Sequence, residues 1–176
     1  MTRGVLDAQV LLRRDTVASA VVNAVVSIGF FLLVFGWMPV AGRSLAIDFL
    51  AQTFGITFLG GIVPSFIMLA RVRKGILSTA GPVPSGAKQI WRLFVLALAA
   101  MPLLGGAALL SMLAFGPAIM SPQTALIVKC LYGGLVGILT TPPILRSAMG
   151  MPFWPGRASR GSAGRVDTNA IHKIYK

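Results

Sequence analysis

The chain alternates long apolar runs with shorter polar connections. The apolar runs cover about residues 16–38, 49–70, 92–116 and 123–145. Each run is long enough to cross a hydrocarbon core, which takes about 20 helical residues. The runs are continuously apolar, without the alternation of a barrel strand, and backbone groups in lipid must be satisfied within the segment, so helices are predicted. The predicted fold is an all-α integral membrane protein with four transmembrane helices in two tandem hairpins.

The segments outside these runs divide the chain into three parts. Residues 16–148 form the predicted transmembrane domain. Residues 1–15 carry apolar residues with arginines between them, and we expect either a short helix lying on the membrane surface or a disordered lead-in. Residues 149–176 are rich in Gly, Ser and Arg and are expected to form a basic cytoplasmic tail, mobile unless a partner holds it.

Polar residues in front of the apolar runs predict where the helices begin. Ser, Thr and Asp side chains accept hydrogen bonds from the free amides of a first helical turn, and proline suits the first helical position. The predicted caps are Asp15 or Thr16 for the first helix, Asp48 for the second, Ser85 for the third, and Ser121 followed by Pro122 for the fourth.

The charge of the chain is strongly positive and unevenly distributed. Lysine and arginine together number 16 against four acidic residues, a formal charge of +12. All of these cations except Arg43 and Lys129 lie before the first run, around the second connection or after the fourth run. The positive-inside rule therefore predicts that both termini are cytoplasmic. No nucleic-acid-binding motif is found, and the cations are expected to contact anionic phospholipids. The candidate lipid contacts are Arg13, Arg14, Arg71, Arg73, Lys74 and Arg146.

Side chains that catalyse reactions or bind metals are scarce in the predicted membrane part. The chain has no glutamate, its single histidine is in the tail, and its single cysteine is Cys130. None of the four aspartates lies in the middle of an apolar run, so no Ser-His-Asp set, metal cluster or phosphate loop can be assembled there. We therefore expect no enzyme activity, no catalytic or metal site, and no cofactor, although structural lipids or apolar pigments are compatible with the composition.

Lys129 is the least expected residue of the apolar runs. It follows Pro122 by about seven residues, which places it about 10 Å along the fourth helix. An ionisable group at such depth is a functional candidate. Three interpretations are open: the side chain extends to the outer headgroups, it forms a structural charge pair with Asp48, or it serves transport or ligand binding.

Small residues in two of the runs favour close helix contacts. Gly133 and Gly137 form a GxxxG motif with Thr141 one turn further on, and Gly60 and Gly61 give the second helix a similar flat patch. Small residues let helix backbones approach closely in lipid. The sequence leaves open whether these patches pack inside the protein, form a dimer face or line a ligand cleft.

Three polar residues of the first run recur every four positions and therefore share one face of the helix. They are Ser19, Asn23 and Ser27. We expect this face to point into the bundle, with Asn23 forming a hydrogen bond between helices rather than binding a substrate.

Prolines inside the runs predict bends. Each of them removes a backbone amide from the helix, so kinks are expected at Pro64, Pro102, Pro142 and Pro143. The hydroxyls of the neighbouring threonines at 140 and 141 are expected to bond to the freed carbonyls. The alternative is a broken-helix substrate site.

Several of these features together resemble a known group of proteins. The pattern of Asn23, DFLAQTF at 48–54, Pro64 and RVRKG at 71–75 is similar to that of uncharacterised small bacterial inner-membrane proteins built from two-helix hairpins. The resemblance implies a location in the bacterial cytoplasmic membrane. It implies no functional residues.

The sequence favours a non-catalytic accessory or assembly subunit of a larger integral-membrane complex, for example one of photosynthetic or respiratory energy conversion. In this interpretation the protein forms a hetero-oligomer through its glycine-rich helix faces and its basic tail. The alternative is a small transporter or channel-like oligomer with its pathway near Lys129 and Asn23.

Overall fold

The computed structural model describes residues 3–75 and 82–151, with side chains from residue 10 onward. Four of its helical segments are long and apolar enough to cross a membrane. The prediction of an all-α protein with four transmembrane helices is confirmed. The elements in chain order are α1 (Arg3–Phe35), β1 (Val40–Ala41), α2 (Gly42–Arg73), α3 (Gly86–Ala100), a π-helical turn (Met101–Gly105), α4 (Gly106–Phe115), β2 (Ile119–Met120) and α5 (Pro122–Ala148). Residues 152–176 of the predicted tail lie outside the described residues.

The first helix starts earlier than predicted. α1 begins at Arg3 and runs without a break through Asp15 and Thr16, so neither of these residues caps it. Thr16 Oγ1 instead donates a hydrogen bond to a carbonyl of the preceding turn at 2.7 Å, and Asp15 pairs with Arg71. No glycine or proline occurs near the expected boundary to end the helix. Residues 3–15 are therefore the first turns of α1 and not a separate backbone segment.

The start of the second helix also differs from the prediction. α2 begins at Gly42, so Asp48 lies in its second turn and does not cap it. Just before α2, strand β1 pairs antiparallel with β2 from the loop between α4 and α5. Gly42 N donates to Ala118 O at 2.9 Å in the same junction. These bonds satisfy the backbone of both loops, so the helix begins without a side-chain cap.

The two remaining caps are confirmed. Ser85 Oγ accepts a hydrogen bond from Lys88 N at 3.3 Å at the start of α3. Ser121 Oγ accepts one from Thr124 N at 3.2 Å, and Pro122 is the first residue of α5. In each case a short hydroxyl side chain satisfies an amide that has no partner within the helix.

The prolines of the second and third spans have different effects. Pro64 lies inside α2, which continues through it. Pro102 lies in the π-helical turn that joins α3 to α4. A π turn is a local widening of a helix. α3, the π turn and α4 therefore form one continuous helical span. Neither span is broken in the way that a broken-helix substrate site requires.

The two prolines near the end of α5 also lie within a continuous helix. The expectation that threonine hydroxyls fill the carbonyls freed by Pro142 and Pro143 is wrong. Thr140 Oγ1 donates to Val136 O at 2.8 Å, a carbonyl that the Thr140 amide can also reach. Thr141 Oγ1 donates to a serine hydroxyl of α1 at 2.9 Å. The Thr141 hydroxyl thus links α5 to α1 and does not bond to a carbonyl freed by proline.

Helix packing does not follow the order of the hairpins. α1 packs along α5, and α2 packs against α5, α3 and α4, whereas α1 and α2 touch each other only sparsely. One apolar cluster lies at the end that carries the two strands, which we call the strand end; it contains Phe31, Val40, Leu45, Phe49, Met120 and Ala125. A second lies at the opposite end, called the basic end, and contains Met68, Val72, Leu145, Ala148 and Met149. Since α1 and α2 both pack against α5 and make few contacts with each other, a groove remains between them.

Candidate functional site

Lys129 is buried and paired with a carboxylate. Its side chain is 1% exposed, and its Nζ lies 2.7 Å from Asp48 Oδ2 and 5.2 Å from the centre of the Phe35 ring. Extension of the side chain to the headgroups is therefore contradicted, because the ammonium points to α2 and α1 and not outward. The pair of Asp48 and Lys129 that the sequence offered as an alternative is present, and we call it the buried ion pair.

The two partners of the buried ion pair have unequal surroundings. The Asp48 side chain is 18% exposed and lines the groove between α1 and α2, while Lys129 is enclosed. The contact between Nζ and Oδ2 is a close charge pair, but its geometry is not that of a hydrogen bond. A buried charge is costly unless it is paired, so the position of Lys129 depends on the carboxylate and, to a smaller extent, on the aromatic face of Phe35.

A row of polar contacts continues from the buried ion pair along α1. Ser27 Oγ donates to Asn23 O at 2.7 Å, and Asn23 Nδ2 donates to Ser19 Oγ at 3.3 Å. Gln52 Nε2 donates to Ser27 Oγ at 2.8 Å and to Lys129 O at 3.2 Å. The predicted polar face of α1 therefore points into the bundle, where its two serines bond to α2 and α5. The expectation that Asn23 forms a hydrogen bond between helices is wrong, because both of its hydrogen bonds are made within α1.

Sequence reasoning missed Gln52 and one separate polar contact. Gln52 follows Asp48 by four residues, so its position on the same face of α2 was readable from the spacing. Its Oε1 is buried and has no hydrogen-bond partner within the described part of the chain. The second omission is a hydrogen bond between Tyr132 of α5 and Thr53 of α2. That contact depends on which faces of the two helices meet, which no local pattern specifies.

The glycine motifs lie in contacts inside the protein. A Cβ on Gly133 would collide with Ser27 Oγ, and one on Gly137 would lie 2.8 Å from Asn23 Nδ2. These glycines therefore let α5 approach α1 closely. The patch on α2 is used in the same way, since a Cβ on Gly60 or Gly61 would come within 3 Å of a neighbouring side chain. Of the three alternatives that the sequence left open, these contacts support packing inside the protein.

The predicted lipid contacts gather at the basic end. Arg71 Nη1 lies 3.0 Å from Asp15 Oδ2, and both side chains are partly exposed. This contact joins the first turns of the α1 span to the last turn of α2. The exposed candidates are Arg13, Arg14, Arg73 and Lys74, while Arg146 is half-buried. A strongly positive surface of this kind attracts anionic headgroups.

A concave groove lies between α1 and α2. Its volume is about 850 Å³, and it is open along one side. It runs from Asp15 and Arg71 at the basic end to Asp48 and Lys129 at the strand end. Most of its walls are apolar, with the polar row of α1 at its base. The sequence did not predict this groove, because it arises from the sparse contact between two helices that are consecutive in the chain.

The side chains of the described residues that could bind a metal ion are dispersed. Among them no group of three or more His, Cys, Asp or Glu side chains is placed to hold a metal ion. The ionisable groups that meet inside the described part of the bundle form one charge pair, and the uncharged polar side chains bond to one another and to helix carbonyls. No family model, curated protein or solved structure matches the chain.

Proposed function

We propose that the protein is a non-catalytic accessory subunit of a larger bacterial membrane complex, and that a partner transmembrane helix packs over the groove between α1 and α2. The observation that carries the proposal is the groove itself, which is open sideways along the depth of the bundle. The positive-inside rule places the basic end in the cytoplasm, so the strand-end half of the groove lies in the outer leaflet.

The strand-end half of the groove has the form of a helix-packing site. Ala51 and Gly55 lie one turn apart on its α2 wall, and a Cβ on Gly55 would meet nothing within 4 Å. The opposite wall presents Phe30 and Val34, which are 54% and 56% exposed. Small residues beside large ones form the notches and ridges by which helices pack in lipid.

The surface that this half offers to a partner is mainly apolar. Gln52 Oε1 faces no donor within the described part of the chain, but the atom is buried inside the protein. The partner would thus be an apolar helix that packs by shape.

The transport alternative has weaker support. It requires polar groups near Lys129 and Asn23 that are free to exchange partners with a substrate. Lys129 is instead 1% exposed against Asp48, and Asn23 bonds to its own helix and lies against Gly60 and Gly137. These contacts favour a structural role for both residues.

The proposal is tested by filling the space beside Gly55 on the α2 wall of the groove. Gly55→Trp places a large side chain in the groove, and Gly106→Trp is the matched control, since Gly106 also has nothing within 4 Å and lies on the third span. Tagged protein is purified from native membranes in mild detergent, and the complexes are measured on native gels and by quantitative mass spectrometry. We expect a stoichiometric larger complex for wild type and the control, with a loss of at least about tenfold for Gly55→Trp.

Two results would overturn the proposal. One is a wild-type protein that purifies alone or only as a homo-oligomer, which would favour the channel-like alternative. The other is equal recovery of the complex with the two tryptophan variants, which would show that the partner binds elsewhere.

A further inference from the structure

The shape of the groove limits what can lie in it. On α1 it extends from Asp15 to Val34, a helical length of about 28 Å. An extended hydrocarbon chain, with carbon contacts near 4 Å, has a cross-section of roughly 15–20 Å² and takes roughly 420–560 Å³ over this length. The groove volume of about 850 Å³ therefore accommodates one such chain.

The half of the groove near the basic end has largely apolar walls. Val22 lines it from α1, and Val63 and Ile67 line it from α2, with exposed fractions of 58%, 64% and 47%. The polar groups at its base are already engaged, since Ser19 Oγ accepts from both Asn23 and Thr141. Such a surface gains most from contact with methylene groups.

The mouth of this half is positively charged. Arg71 lines the groove there, already paired with Asp15. Lys74 follows it by three residues at the end of α2 and is exposed. Arg14 is also exposed and precedes Ala18, another groove residue, by four positions, so it shares that side of α1. Two cations beyond the internal pair thus stand where the headgroup of a lipid in this groove would lie.

We infer that this half of the groove binds one acyl chain of an anionic glycerophospholipid, whose phosphate lies at the mouth near Lys74, Arg14 and Arg71. The positive-inside rule makes the ligand a lipid of the cytoplasmic leaflet. The chain fills the apolar slot between α1 and α2, and the headgroup is held by charge. The inference does not rest on partner binding, which the proposed function places at the strand-end half.

Adjacent valines on α1 provide a matched test. Val22 lines the groove and is 58% exposed, and Val21 is 59% exposed but is not part of the groove. Purified full-length protein is titrated with phosphatidylglycerol and with phosphatidylethanolamine of the same chains, and bound lipids are counted by native mass spectrometry. We expect one tightly held phosphatidylglycerol, a loss of affinity of about tenfold for Val22→Trp, and no change for Val21→Trp.

A second pair of variants tests the charge. Each cation near an anionic surface contributes a factor of about five to binding, so Lys74→Gln should reduce the preference for phosphatidylglycerol about fivefold. Lys88→Gln is the control, because Lys88 is exposed on α3 and is not a groove residue. Gly55→Trp should keep the lipid, so failure of this inference is distinguishable from failure of the proposed function.

A measurement on wild-type protein removes any dependence on the folding of the variants. Phosphatidylglycerol with a photoactivatable group on its acyl chain should label peptides of α1 and α2 around Val22 and Val63. Equal labelling of the lipid-facing side of α4 would overturn the inference. Equal affinities for the two lipids, or equal affinities of Val22→Trp and Val21→Trp, would overturn it as well.

Discussion

Removing the charges of the buried ion pair singly and together tests its role. The variants are Lys129→Met, Asp48→Asn and the double variant, with Lys88→Met as an exposed control. Methionine has nearly the shape of lysine and asparagine that of aspartate, so the changes remove charge with little change in volume. A lysine that reached the headgroups would tolerate replacement by methionine. A paired lysine would not.

The expected magnitudes follow from the unequal burial of the partners. Asp48→Asn leaves an ammonium that is 1% exposed without its counterion, and loss of one partner of a buried pair costs about 3–5 kcal/mol. Lys129→Met leaves a carboxylate that is 18% exposed at the groove, so we expect a smaller loss of about 2 kcal/mol. The double variant leaves no unpaired charge and should lie within about 1 kcal/mol of wild type. The implied coupling is about 5 kcal/mol, within the range measured for close charge pairs.

The assay is unfolding by sodium dodecyl sulfate in mixed micelles, followed by circular dichroism and analysed as a free energy of unfolding. The order of stability should be wild type and double variant, then Lys129→Met, then Asp48→Asn. The Lys88→Met control should stay within about 0.5 kcal/mol of wild type. If both single variants are as stable as wild type, or if the double variant is the least stable of all, the reasoning about this pair is refuted.

Two other contacts give sharp predictions in the same assay. Gly133→Ala should destabilise the protein by about 1–3 kcal/mol, because the added Cβ meets Ser27 Oγ. Gly134→Ala should be neutral or stabilise the protein by about 0.5 kcal/mol, because the nearest atom to the added Cβ is 3.8 Å away. Equal losses in the two alanine variants would contradict the close approach of α1 and α5. Tyr132→Phe removes the hydrogen bond to Thr53 and should cost about 0.6–1.7 kcal/mol, so wild-type stability in that variant would show that the bond contributes nothing.

Local chemistry explains why the spans and two of the caps could be predicted. The length of an apolar run decides whether a helix crosses the membrane, and this property needs no knowledge of neighbours. Ser85 and Ser121 cap their helices through bonds to amides three residues away, which are equally local. Asp48 was misassigned because α2 is started by the pairing of β1 with β2, two strands from distant loops.

The sequence by itself therefore determined the four membrane-spanning helices, the uneven charge and the face on which the polar residues of α1 lie, since each depends on composition or helical spacing. Only the tertiary structure decided what those residues meet. It buried Lys129 against Asp48, used the glycines of α5 to bring α1 close, and left α1 and α2 apart with a groove between them. The physical reason is that in lipid every face of these helices is similarly apolar, so the packing partner of each is chosen by shape and a few polar contacts that the sequence pattern does not locate.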